Sequence, residues 1–79
     1  MTNNELRKDV IDNQIQNTSW SIANHTIKLE FLNSLSELDE FRQAEKHHCE
    51  IELLVLEQKR SFLDLKLNEI NAIIDSQEQ

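Results

Sequence analysis

The sequence predicts an all-α protein, an antiparallel hairpin of two long helices, from three observations. The 79-residue chain has no glycine and no proline, although the two together make up roughly 12% of an average globular sequence. Sheet hairpins and phosphate-binding loops depend on glycine. Apolar residues recur at three- and four-residue intervals along almost the whole chain, which is the helical period. The composition, 38% hydrophobic and 29% charged, is too apolar for a fully disordered chain. The chain is short enough to be one domain, residues 1–79.

The first helix is predicted over residues 3–32. Thr2 and Glu5 have the spacing of a capping box. One apolar series then runs through Leu6, Val10, Asn13, Asn17, Trp20, Asn24, Ile27 and Phe31. A second series runs through Ile11, Ile15, Thr18, Ile22, His25, Leu29 and Leu32. Two parallel series make a broad apolar face, which predicts packing against more than one neighbouring helix.

Polar residues interrupt the first series near the middle of this helix. Asparagines at core-like positions can fix the register and number of packed helices. The alternative is a break or kink near residues 17–19, because Thr18 and Ser19 can compete for backbone hydrogen bonds. We expect the kink.

Trp20 lies at a position of the first apolar series, which predicts that it is buried in the core. The alternative is an exposed anchor for a partner.

The chain is predicted to reverse at residues 33–36. Ser34 with Glu37, and Ser36 with Asp39, form two overlapping caps, and acidic residues follow in the first turn of the next helix, as the helix dipole favours. A polar stretch at residues 46–48 is the other candidate for the turn. The preferred position gives a second helix over residues 37–76.

The second helix has the most regular pattern in the chain. A series with an unbroken four–three spacing runs from Cys49 to Ile74, and every residue in it except Arg60 is apolar. A helix with so much apolar surface must be covered. The predicted core and oligomer seam consists of Leu53, Leu56, Leu63, Leu67, Ile70 and Ile74 in this helix and Ile27 and Phe31 in the first.

The two predicted arms differ in length by about ten residues, so the first arm leaves part of the second uncovered. Two hairpins packed as a homodimeric four-helix bundle, or a larger helical oligomer, would cover both faces. The rival arrangement is a single kinked helix in a parallel coiled coil.

No catalytic, metal or cofactor site is predicted. His48 and Glu52 are four residues apart and could reach one ion, as could Glu45 and Cys49. Structural zinc, however, usually needs four ligands from Cys or His pairs. A two-helix hairpin also lacks a concave pocket for catalysis, so the chain is not expected to be an enzyme.

Charge and composition direct the functional prediction toward binding. The net charge is −7, and residues 36–79 carry five bases against eleven acids, which disfavours direct binding of nucleic acid. No apolar stretch is long enough to span a membrane, and no signal sequence or disulfide pair is visible, so a cytoplasmic location is expected. The candidate contacts for a partner or ligand are Trp20, Asn24, His25 and Lys28.

The expected function is that of a small acidic helical protein that self-associates and binds and inhibits a protein partner, as an accessory protein of a phage or mobile element. One alternative is an acidic mimic of DNA or an oligomer that binds a small anion or nucleotide. A further alternative is a structural coiled-coil scaffold.

Overall fold

The chain folds into an antiparallel hairpin of two helices, which confirms the predicted all-α fold. The computed structural model describes residues 2–78, with side chains for residues 2–77. Helix α1 spans Asn3–Ser34 and helix α2 spans Glu40–Glu78. The hairpin measures 61 × 16 × 15 Å.

Helix α1 begins at the predicted capping box. The Glu5 amide donates to the Thr2 hydroxyl oxygen at 3.2 Å, and the Thr2 amide donates to the Glu5 carboxylate at 3.2 Å. The helix then continues without a break through residues 17–19, contrary to the expected interruption there. Thr18 points into the contact with α2 and is only 3% exposed, so its packing favours a continuous helix.

The chain reverses at residues 35–39, slightly later than predicted, and residues 46–48 are helical. Helix α1 extends through Ser34, whose hydroxyl donates to the Phe31 carbonyl at 2.6 Å instead of capping the next helix. Asp39 caps α2, because its carboxylate accepts the Arg42 amide at 2.8 Å. Helix α2 therefore begins at Glu40 and not at residue 37.

The core is the narrow contact between the two helices. It joins the second apolar series of α1 to the four–three series of α2. Its most buried residues, all 5% exposed or less, are Thr18, Leu32, Cys49, Leu63 and Ile70. The Cys49 thiol donates to the backbone carbonyl of His25 at 3.1 Å, which ties the middle of α2 to α1.

The first apolar series of α1 faces away from α2. Trp20 is 70% exposed and Ile27 is 66% exposed, and Phe31 is also exposed, so none of these three belongs to the core of the hairpin. The three asparagines of that series are exposed as well. The reason is geometric: the two series lie on different sides of α1, and one partner helix can cover only one of them.

Candidate interaction surfaces

The heptad positions of the two helices define two flanks of the hairpin. Positions a and d form the contact between the helices. The d positions are 11, 18, 25 and 32 in α1 and 49, 56, 63 and 70 in α2. In an antiparallel pair, position g of one helix lies beside g of the other, and e lies beside e. Lys28 and Glu45, both at g, pair across the hairpin at 3.5 Å, which establishes this geometry.

We call the side formed by positions c and g the apolar flank. Its exposed apolar side chains are Val10, Phe31, Phe41, Val55, Phe62 and Ile73. Leu6, at the adjoining f position, borders it. Positions c and f of α1 carry no charged residue, although they are the most exposed positions of a two-helix coil and are normally polar. Of the ten residues at these positions, five are apolar and five are asparagine or serine, so this surface is uncharged and half apolar.

A groove indents the apolar flank at the end of the hairpin away from the turn, which we call the open end. The prediction that a two-helix hairpin has no concave pocket is therefore wrong, because side chains of both helices form the walls of this groove. The groove has a volume of about 450 Å³, and its apolar walls include Leu6, Val10, Phe62 and Ile73. Arg7 and Lys66 also line it, as does Glu69. The Lys66 ammonium lies 3.2 Å from the Glu69 carboxylate and 5.5 Å from the centre of the Phe62 ring. The groove is thus apolar, with two cations and one carboxylate at its edge.

We call the opposite side, formed by positions b and e, the acidic flank. No lysine or arginine occupies a b or e position in either helix. The acidic residues there with described side chains are Glu5, Asp9, Asp12, Glu30, Glu40, Glu50, Glu57, Asp64 and Asp75. Among the described side chains, Leu54 is the one large exposed apolar residue of this flank. The hairpin therefore separates its apolar surface from much of its negative charge.

The charged g positions of α2 change sign once along the helix. From the turn toward the open end they are Glu45, Glu52, Lys59 and Lys66. Two acids are thus followed by two bases at seven-residue spacing along the edge of the apolar flank. At the same levels as Glu52 and Lys59, the g positions of α1 hold Ser21 and Gln14, which are uncharged.

The four candidate contact residues predicted from the sequence do not form one cluster. Trp20 and Asn24 are exposed. His25 is half-buried in the contact between the helices, and its Nδ1 donates to the Ser21 carbonyl at 2.8 Å. Lys28 is paired with Glu45. The arrangement does not assemble a pocket for an anion from these four residues.

The predicted seam residues separate into two groups. Leu53, Leu56, Leu67 and Ile74 are half-buried against α1, and Leu63 and Ile70 are buried there. Ile27 and Phe31, in contrast, lie outside this contact. Phe31 stacks with the Arg42 guanidinium at 5.7 Å from its ring centre, on the apolar flank near the turn.

Histidine and acidic residues of the kind that bind metals lie close together on α2. His48 Nε2 lies 3.9 Å from a Glu52 carboxylate oxygen, the predicted four-residue pairing. Within residues 2–78, no group of three or more histidine, cysteine, aspartate or glutamate side chains is arranged to hold a metal ion. Neither described helix is long and apolar enough to cross a membrane.

Comparison with protein-family models, curated proteins and solved structures finds no match to this chain.

The flanks and the groove were not predicted from the sequence. The signal was present, because the charge separation follows from heptad letters once the a and d positions are known. Two apolar series on α1 left the choice of packed face open, however. The groove depends on side chains from both helices, so it required their relative register.

Proposed function

We propose that this protein is a helical interaction module that self-associates through its apolar flank and, once assembled, binds another protein. The observation that carries the proposal is the amount of exposed apolar surface on one side of a thin hairpin. An exposed apolar surface of this kind supports a role in binding.

The accessible surface area of the single hairpin is larger than that of a compact monomer of the same mass. It is 6048 Å², whereas a compact monomer of 9.3 kDa exposes about 5,000 Å². The excess of about 1,000 Å² is close to the ~800 Å² that each partner buries in a standard interface. Two hairpins that meet by their apolar flanks form a four-helix bundle, in which this excess is removed from water.

Such an assembly leaves both acidic flanks exposed on its outer faces. A partner with a basic surface fits them, and binding to it should weaken steeply as salt rises. Mimicry of DNA is less well supported. Nine carboxylates along 61 Å are one charge per roughly 7 Å, against one per about 1.7 Å in the duplex.

Sedimentation equilibrium over a hundredfold range of protein concentration tests the self-association. We expect a discrete species of twice the 9.3 kDa chain mass. Phe62→Asp should convert it to the monomer, because it places a charge in the apolar flank. Ser61→Asp, at a b position of the acidic flank, is the matched control and should leave the mass unchanged. A wild-type monomer at every concentration would contradict the proposal.

A further inference from the structure

We propose that the occupant of the apolar flank is a second copy of this chain in antiparallel orientation, with the turn of each hairpin over the groove of the other. This inference rests on the proposed self-association and adds its orientation, its register and the groove residues. It is carried by the order of charges along α2 and by the position of the phenylalanines near the turn.

The charge order of α2 is self-complementary only when two copies of this helix run in opposite directions. With a two-fold axis between residues 55 and 56, Glu52 of each copy lies opposite Lys59 of the other. The same register places Glu45 opposite Lys66. All four pairs along the α2 rows are then of opposite sign, and opposite charges at facing positions set the orientation of packed helices.

The register also brings aromatic side chains to the groove. Rotation about this axis brings Phe41 of one copy to the same height along the bundle as Ile70 of the other. Ile70 lines the groove. Phe31 reaches the same region from α1. Phe41 is 72% exposed in the single hairpin and so gains most from being covered, since burial of an aromatic side chain is a large favourable term.

The charges at the groove do not distinguish the two possible orientations. Arg7 and Lys66 share this site with one carboxylate, Glu69. The antiparallel copy adds Glu45 with its paired Lys28, and Arg42, which stacks on Phe31. With both turns at one end, Arg7 and Lys66 of both copies would meet beside two copies of Glu69. Four cations face two carboxylates in either case, so the choice of orientation rests on the order of charges along α2 and on the phenylalanines near the turn.

A charge exchange tests the register. Glu52→Lys and Lys59→Glu should each raise the dimer dissociation constant about tenfold or more, because each creates two like-charge contacts across the axis. The variant with both substitutions should return to within about threefold of the wild type, since it restores opposite signs with the same net charge. An equimolar mixture of the two single variants should likewise form a heterodimer. Far-UV circular dichroism checks that each variant keeps its helix content.

Glu57→Lys is the matched control for the charge exchange. It makes the same change of charge as Glu52→Lys, but on the acidic flank, and should leave the dimer intact. For the groove, Phe41→Ala should weaken the dimer at least tenfold, whereas Leu54→Ala, an exposed leucine of the acidic flank, should not.

The outcomes distinguish this inference from the proposed function. If the doubly exchanged variant dimerises no better than the single variants, or if Glu57→Lys disrupts the dimer as strongly as Glu52→Lys, the orientation or the flank is wrong while self-association stands. If Phe41→Ala has no effect, the groove is not its site. A wild-type chain that remains monomeric overturns both proposals.

Discussion

Cys49 is the residue that reports most directly on the packing of the two helices. It is 1% exposed, and its thiol donates to the carbonyl of His25 on the other helix. A thiol reagent therefore reaches it only when the hairpin opens, as buried groups exchange through opening of the structure. The rate of reaction of this cysteine thus measures the opening of the hairpin.

Truncation of Leu63 should accelerate that reaction. Leu63 is buried beside the groove, and leucine-to-alanine changes in a core cost about 2–5 kcal/mol. We expect Leu63→Ala to raise the rate of Cys49 labelling by an aromatic disulfide about thirtyfold or more, since each 1.4 kcal/mol corresponds to about tenfold. Leu65→Ala, at an exposed f position, is the control and should label at nearly the wild-type rate. Equal rates for the two variants would show that the packing is wrong.

Residue-level prediction succeeded where one periodicity was unambiguous. The leucines and isoleucines of the four–three series of α2 are all buried or half-buried. The predicted burial of Trp20 is wrong, because α1 carries two apolar series and the choice between them depends on the partner helix. Thr18, a polar residue in the chosen series, is buried, whereas the tryptophan of the other series is exposed.

At the scale of the elements, the two helices differ in how they begin. Helix α1 has a complete capping box, and α2 relies on the single side chain of Asp39. Capping signals placed the start of α1 correctly. They placed the turn slightly too early, because serine, asparagine and aspartate all occur between residues 33 and 39 and each can cap a helix.

Asp39→Ala should destabilise the protein, because the Arg42 amide then loses its hydrogen-bond acceptor. The expected loss is about 0.5–2 kcal/mol in the free energy of unfolding, measured by urea denaturation at a fixed protein concentration. Asp39→Asn retains an acceptor of similar capping strength and should lie within a few tenths of a kcal/mol of the wild type. If alanine is tolerated as well as asparagine, the side chain of Asp39 does not cap α2.

At the scale of the whole molecule, the main feature is the separation of apolar and acidic surface. Predicting both helices and the hairpin required only local patterns, which the absence of glycine and proline made easy to read. Predicting the groove required the register between the helices, which the sequence leaves open. The connection of only five residues, 35–39, sets that register, and it brings Arg7 of α1 to the level of Lys66 of α2.

The central claim is the antiparallel orientation of two hairpins on their apolar flanks, and the distance between the two copies tests it most directly. A nitroxide at Ser76→Cys, in a Cys49→Ser background, lies near the open end of each hairpin. Pulsed electron–electron double resonance should give a separation of about 60 Å between the two labels. This distance follows from the helical rise of ~1.5 Å per residue between each label and the two-fold axis. Labels at Gln58→Cys should be separated by only about 10–25 Å, because they lie near the two-fold axis. Short distances for both labels would mean that the turns lie at the same end, which would contradict the account.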